Sequence, residues 1–226
     1  MLAASELRIV NFHGIGKPGR AYEPGEAAYW ISAERFRDIL DRIADHPDRD
    51  RLAITFDDGN SSDLAIGAPE LRRRGLTAQF FVLTGRIGEA GSLSDDDIRR
   101  LIDAGMDIGS HGIAHRDWSS LASEDLEDEL VSSKTLLEGL CGMPVRSAAI
   151  PFGRYNAAVV AALRKAGYGT AYSSDGGSAK KSAFLKPRTS IRQDTTDAAL
   201  ERLLSGRDDP WRRLRRAAAM TVKEWI

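Results

Sequence analysis

Cysteine is almost absent from this sequence. The single residue, Cys141, excludes an internal disulfide and any cysteine-based metal site. Its place late in an apolar helical pattern predicts a buried, inert thiol. Histidine is scarce as well: the four residues stand at 13, 46, 111 and 115, so any imidazole chemistry must draw on these. No run approaches the ~18 apolar residues of a membrane span. Net charge is lacking too, at −1, which leaves no electrostatic case for nucleic acid or an anionic membrane. The local exception is the tail Trp211-Arg212-Arg213-Leu214-Arg215-Arg216, read here as a solvated helix face. The first residues, Met1-Leu2-Ala3-Ala4-Ser5-Glu6, hold no basic region followed by an apolar stretch. They predict no secretory leader, and a cytoplasmic location is the expectation.

What is present is an alternation of two patterns. Strand-like runs occupy 7–12, 52–56, 78–82, 106–109, 145–150 and 169–172, with an extended stretch at 185–191. Helical patterns fall between them, at 33–44, 63–74, 95–104, 124–140 and 157–166, with two more near the end at 197–204 and 211–225. Ser32 reads as an N-cap, Ser94 and Asp97 as a capping box, and Gly75, Gly105 and Gly142 as stops. Strands alternating with helices predict parallel βαβ units, and about seven repeats favour a closed or nearly closed (β/α) barrel over an open sheet. A single domain over 1–226 is expected, with a helical tail from about 197. Barrels of this kind carry their sites at the C-terminal ends of the strands. His13, Asp57-Asp58, His111 and Pro151-Phe152 all fall there.

Three segments carry chemistry. In Thr55-Phe56-Asp57-Asp58-Gly59, two adjacent carboxylates repel each other and, if buried, need a cation or a shared proton. The plain alternative is an Asp-Gly turn. In Ser110-His111-Gly112-Ile113-Ala114-His115, two histidines four apart meet on one face if the segment is helical. With one carboxylate they make a donor set that leaves positions open for water and substrate, as in catalytic zinc sites. Surface histidines are the alternative. In Ala149-Ile150-Pro151-Phe152-Gly153-Arg154, Pro ends a strand ladder and Gly permits a sharp turn. Backbone N–H groups there can face a site, or the segment simply connects strand to helix.

Together and in this order the segments resemble the polysaccharide deacetylase family (carbohydrate esterase family 4, the NodB homology domain), from about Arg8 to Ile191. The first matches the family's Thr-Phe-Asp-Asp-Gly in full. The second matches its His-x-x-x-His, with Gly112 where Ser or Thr is usual, and the third its Pro-aromatic-Gly. The resemblance implies a distorted (β/α) barrel, often of seven strands. It implies that Asp57 is the general base and that Asp58, His111 and His115 hold a divalent metal, usually zinc, with cobalt or nickel as alternatives. A metal-activated water would be the nucleophile, and the backbone of Pro151-Phe152-Gly153, the Phe152 N–H in particular, would support the oxyanion. The implied reaction is removal of an acetyl group, N-acetyl foremost, from a glycan, oligosaccharide or sugar precursor. Related hydrolases of formyl groups, cyclic imides or ureides are the alternative activity, and a degenerate glycan-binding barrel is the non-enzymatic one.

The chain departs from the family in two places. Ala149 stands where an Arg usually orients the base, and no His follows His115, so the late Leu-x-His acid is missing. Arg188 is the nearest late substitute, able to stabilise charge but a poor acid. His13 is the alternative proton donor, or else merely a hydrogen-bonded residue. Trp30 stacks on a sugar ring or packs the first helix.

Overall fold

The computed structural model describes residues 6–207 and 210–225; residues 1–5, read above for a leader, lie outside the described residues. The chain opens with strand β1 (Glu6–Phe12), a short parallel pair β2 (Gly14–Ile15) and β3 (Trp30–Ile31), and helix α1 (Ala33–Ala44). Then follow β4 (Leu52–Phe56), α2 (Ala68–Arg73), β5 (Gln79–Val82), α3 (Asp95–Asp103), β6 (Asp107–Ser110), α4 (Ser123–Cys141), β7 (Ser147–Ala149), α5 (Ala157–Lys165) and β8 (Thr170–Ser173). The last part holds β9 (Ser178–Lys180), β10 (Leu185–Pro187), β11 (Thr189–Ser190), α6 (Asp197–Ser205) and α7 (Pro210–Trp225).

The strands run β10-β8-β7-β6-β5-β4-β1-β11, parallel throughout, with β9 antiparallel to β1. β10 and β11 are separated by Arg188 alone. One extended segment therefore pairs with β8 through its first half and with β1 through its second. Counted once, it closes the sheet as the seventh stave of a distorted barrel, as the alternating pattern predicted. The β1–β4 register, from Arg8 opposite Leu52 to Phe12 opposite Phe56, brings His13 and Asp57 off the barrel at one level.

The helix signals act as read. Ser32 Oγ accepts from the Arg35 N–H at 3.0 Å, Ser94 and Asp97 form the reciprocal capping box, and α4 stops at Gly142 in the left-handed region. Helices α1 to α6 bury apolar residues against the sheet; for α1 these are Phe36, Ile39, Leu40 and Ile43. Phe36 meets the ring of Phe12 edge-on at 5.0 Å, and Phe56 stacks on Phe80 at 4.5 Å, tying the first helix to the first strands. Two readings are corrected. The helix expected over 63–74 begins as a wide five-residue turn, Asp63–Gly67, before α2 starts. Cys141 is only partly buried, because it ends α4 at the surface. Among the described residues no helix is long and apolar enough to cross a membrane.

Candidate active site

The carboxyl ends of the staves surround a cleft of about 700 Å³ that holds His13, Asp57, Asp58, His111, His115, Phe152 and Arg188. Parallel strands explain this gathering: every loop that follows a stave leaves the barrel at the same end.

Asp58 follows β4 at φ 79°. Its Oδ1 lies 3.5 Å from His111 Nε2 and 3.8 Å from His115 Nε2, is buried, and accepts no hydrogen bond among the described residues. Because a carbonyl oxygen can only accept, His111 Nδ1 carries the proton and donates to Ala149 O at 2.9 Å. His115 Nδ1 likewise donates to Glu23 Oε2 at 3.1 Å. Both Nε2 lone pairs are left on the side of Asp58, and the three donor atoms lie within 4.8 Å of one another. Burial pushes His111 down to about 4, against the pull of Asp57 and Asp58, so the ring is neutral at neutral pH. A carboxylate oxygen without a hydrogen bond, facing two imidazole nitrogens, is a donor set that fits a divalent cation such as zinc.

The His111–His115 segment is not helical, contrary to one condition of the sequence reading. It is a loop that turns at Gly112 (φ 84°) and His115 (φ 54°). Glu129, reaching from α4, accepts the N–H groups of Ile113 at 2.7 Å and Ala114 at 3.3 Å. A Cβ on Gly112 would fall 2.5 Å from Glu129 Oε2, so glycine fits here on two counts, backbone conformation and space.

Asp57 is buried and held from two strands. Arg188 donates to its Oδ1 at 2.6 Å and its Oδ2 at 2.8 Å, and Asn11 donates to Oδ2 at 3.0 Å. Asn11 Oδ1 in turn accepts from Thr55 Oγ1 and Arg188 Nη1. Burial raises the Asp57 carboxyl, but the Arg188 guanidinium, with His111 and His13 beyond it, outweighs burial and holds it far below the usual carboxylate range. Arg188 thus stands against the carboxylate whose expected Arg is replaced by Ala149; the charge arrives from the barrel seam instead of from β7. His13 Nε2 is 3.9 Å from Asp57 Oδ2, and its ring lies 4.7 Å from that of Tyr29.

Phe152, at φ 57° and 55% exposed, sets its ring 4.4 Å from His115 at the rim of the cleft. Pro151 and Gly153 are buried beneath it, and a Cβ on Gly153 would meet Ser174 at 2.8 Å. Trp30 is corrected: it is buried, its indole lies where a Gly14 side chain would be, and its N–H donates to Glu26 at 3.0 Å. It packs β3 against β2 and does not line the cleft. Asn11, Glu129 and Glu23 were missed. Asn11 had a signal, a polar residue inside the apolar run Ile9-Val10-Asn11-Phe12, and so had Glu129, an acid on the buried stripe of α4. Glu23, 92 residues from His115, had none.

Comparison with known proteins bears on the family and the fold. The sequence profile of the polysaccharide deacetylase family matches residues 44–171, more than half of the chain. A Bacillus subtilis protein, YxkH, named for polysaccharide deacetylation, is 27% identical over 135 residues, covering 60% of this chain and 48% of its own length. The chitooligosaccharide deacetylase of Azorhizobium caulinodans is 30% identical over 118 residues, covering 51% of this chain and 54% of its own. The chain therefore spans about half the length of these curated relatives. Among solved structures, the Streptococcus pyogenes deacetylase PplD, in complex with acetate, superposes with a TM-score of 0.75 at 20% identity, over 88% of this chain and 98% of that one. At that identity the likeness concerns the fold.

Proposed function

The chain belongs to the polysaccharide deacetylase family, and from that premise we propose that it is a metal-dependent hydrolase that removes acetyl groups, N-acetyl foremost, from a glycan, oligosaccharide or sugar precursor. The observation that carries this reading is the adjacency of two differently equipped carboxylates. Asp57 is locked to Arg188, while Asp58 faces His111 and His115 with an oxygen to spare.

In this reading Asp58, His111 and His115 hold the ion, zinc by preference and cobalt or nickel as alternatives. When bound, it supplies Lewis acidity toward the acetyl carbonyl and the attacking water. Asp57, kept ionised by Arg188, takes the proton of that water as it adds to the carbonyl carbon. The Phe152 N–H donates to the oxyanion that develops. His13 stands beside Asp57 and hands a proton to the departing sugar nitrogen as the C–N bond breaks. Acetate and a free amine result.

The test combines metal analysis with acetate release from N-acetylglucosamine oligomers. Wild type is expected to carry one ion and to release acetate. Asp57→Asn keeps the ion and loses about 100- to 10,000-fold in kcat, His111→Ala loses both, and His13→Gln keeps the ion and slows turnover by about 100-fold. Metal-loaded wild type that frees no acetate from any acetylated sugar would sink the proposal. Full activity in Asp57→Asn would remove Asp57 as the base.

A further inference from the structure

Helix α7 presents an apolar face to solvent. Trp211, Leu214, Val222 and Trp225 are exposed at 73, 61, 56 and 83%. At the helical period these four, with Ala218 between them, fall in one stripe about 80° wide. The opposite side of the helix is the docked one. Met220 packs against the core. Lys223 Nζ donates to Asp175 Oδ1 at 2.6 Å and lies 5.0 Å from the centre of the Tyr155 ring. Arg216 lies against Gly176 and Gly177. A solvated helix face turns charge outward; this one turns tryptophan, leucine and valine outward, so the solvated-face reading of the tail does not account for it.

The charge of the helix identifies what covers the stripe. Residues 210–225 carry five cations against the single carboxylate of Glu224. With Lys223 paired to Asp175 and Arg216 on the docked side, the remaining Arg212, Arg213 and Arg215 still outnumber Glu224, in a chain of net charge −1. A second copy laid on this face would bring two arginine-rich helices of like charge together. Anionic lipid headgroups supply the missing counter-charge, and the upper acyl region takes the apolar side chains. A tryptophan at each end of the stripe suits the headgroup boundary, where an apolar ring and a polar N–H are both accommodated. We propose that α7 is an interfacial anchor that lays this protein on an anionic bilayer. Its docked side touches the loop after β8, whose Ser174, Asp175 and Gly176 line the catalytic cleft. The anchor therefore ties the loop at the rim of the cleft to the helix that lies on the bilayer.

The full chain should be mixed with vesicles of phosphatidylcholine alone and of phosphatidylcholine with phosphatidylglycerol, and partition followed by co-sedimentation and tryptophan emission. Trp30 and Trp118 are buried, so a change in emission reports on Trp211 and Trp225. Partition is expected to be at least about tenfold stronger on the anionic vesicles at low salt, to weaken as salt is raised, and to move the emission to shorter wavelength. Trp211→Ser/Trp225→Ser should abolish it, and Arg212→Gln/Arg213→Gln/Arg215→Gln should remove the preference for anionic lipid. Both variants should release acetate from a soluble oligosaccharide at the wild-type rate. Failure of wild type to sediment with anionic vesicles would overturn the proposal, as would unchanged partition of the tryptophan variant. A wild-type dimer in sedimentation velocity that the tryptophan variant turns into monomer would overturn it as well, by identifying a second copy as the cover.

Discussion

Arg188 lies at the mouth of the barrel with two guanidinium nitrogens on Asp57, fully buried, over the rings of Phe81 and Tyr172. A buried pair of this kind sets protonation, because the low dielectric amplifies whichever charge is near. Replacing Arg188 with Met removes the largest opposition to burial, so the Asp57 pKa rises and the base is protonated at higher pH. The acid limb of the kcat/KM profile is expected to move up by about one to three pH units, with Arg188→Lys moving it less. An acid limb that stays in place in both variants would show that Asp57 is not the titrating base. At this scale the sequence was legible for the gathering of Asp57, Asp58, His111 and His115 in one cleft, because adjacent carboxylates and paired histidines stand out by type. It was silent on which atom meets which: Arg188 stood out only as a late cation, and its partner is 131 residues away.

The loop after β6 shows what an element adds. His111 and His115 are brought together by a turn, not by helical spacing, and Glu129 holds the turn by its backbone N–H groups. Removing that acceptor, as in Glu129→Leu, leaves two N–H groups without it and is expected to cost about 1–3 kcal/mol. Gly112→Ala meets Glu129 and takes an unfavourable φ at once, for a loss of similar size. Both variants should bind zinc more weakly than their loss of stability explains, measured by ion titration of folded protein at a temperature well below the melting midpoint. Wild-type zinc affinity in both would mean that the turn does not position His115. The spacing of the histidines was legible; the shape of the segment was not, since a four-residue interval suits a helix and this turn alike.

For the whole molecule, closure of the barrel depends on residues 185–190 bonding on both sides, and it also creates the buried interior where titration and stability are coupled. Asp63 is buried as well, in the turn that precedes α2. Burial, with Asp58 and Asp57 near, pushes its pKa well above the ordinary value. The sign follows directly. Below about pH 4 both the folded and unfolded chains are protonated at this position and it is neutral for stability. As pH rises, the unfolded chain ionises and the folded one does not, so stability falls. Asp63→Asn removes this penalty. In chelator-treated protein it is expected to raise Tm by roughly 3 °C or more at pH 7, with the gain vanishing below about pH 4. A gain independent of pH, or none, would contradict the coupling.

Local pattern determined most of the architecture here, because helix and strand periods, caps such as Ser32 and Ser94, and glycine stops are written in neighbouring residues. It also determined which staves would carry polar groups at their ends. Only the tertiary structure decided that β10 and β11 are one closing stave, that Arg188 answers Asp57 where Ala149 leaves the usual position empty of charge, and that Trp30 is packing. It alone decided, too, that the apolar stripe of α7 faces outward. The physical reason is common to all four. Each depends on what stands opposite a residue across the fold, and an amphipathic or charged segment has the same sequence whether its partner is the core, another strand or a membrane surface.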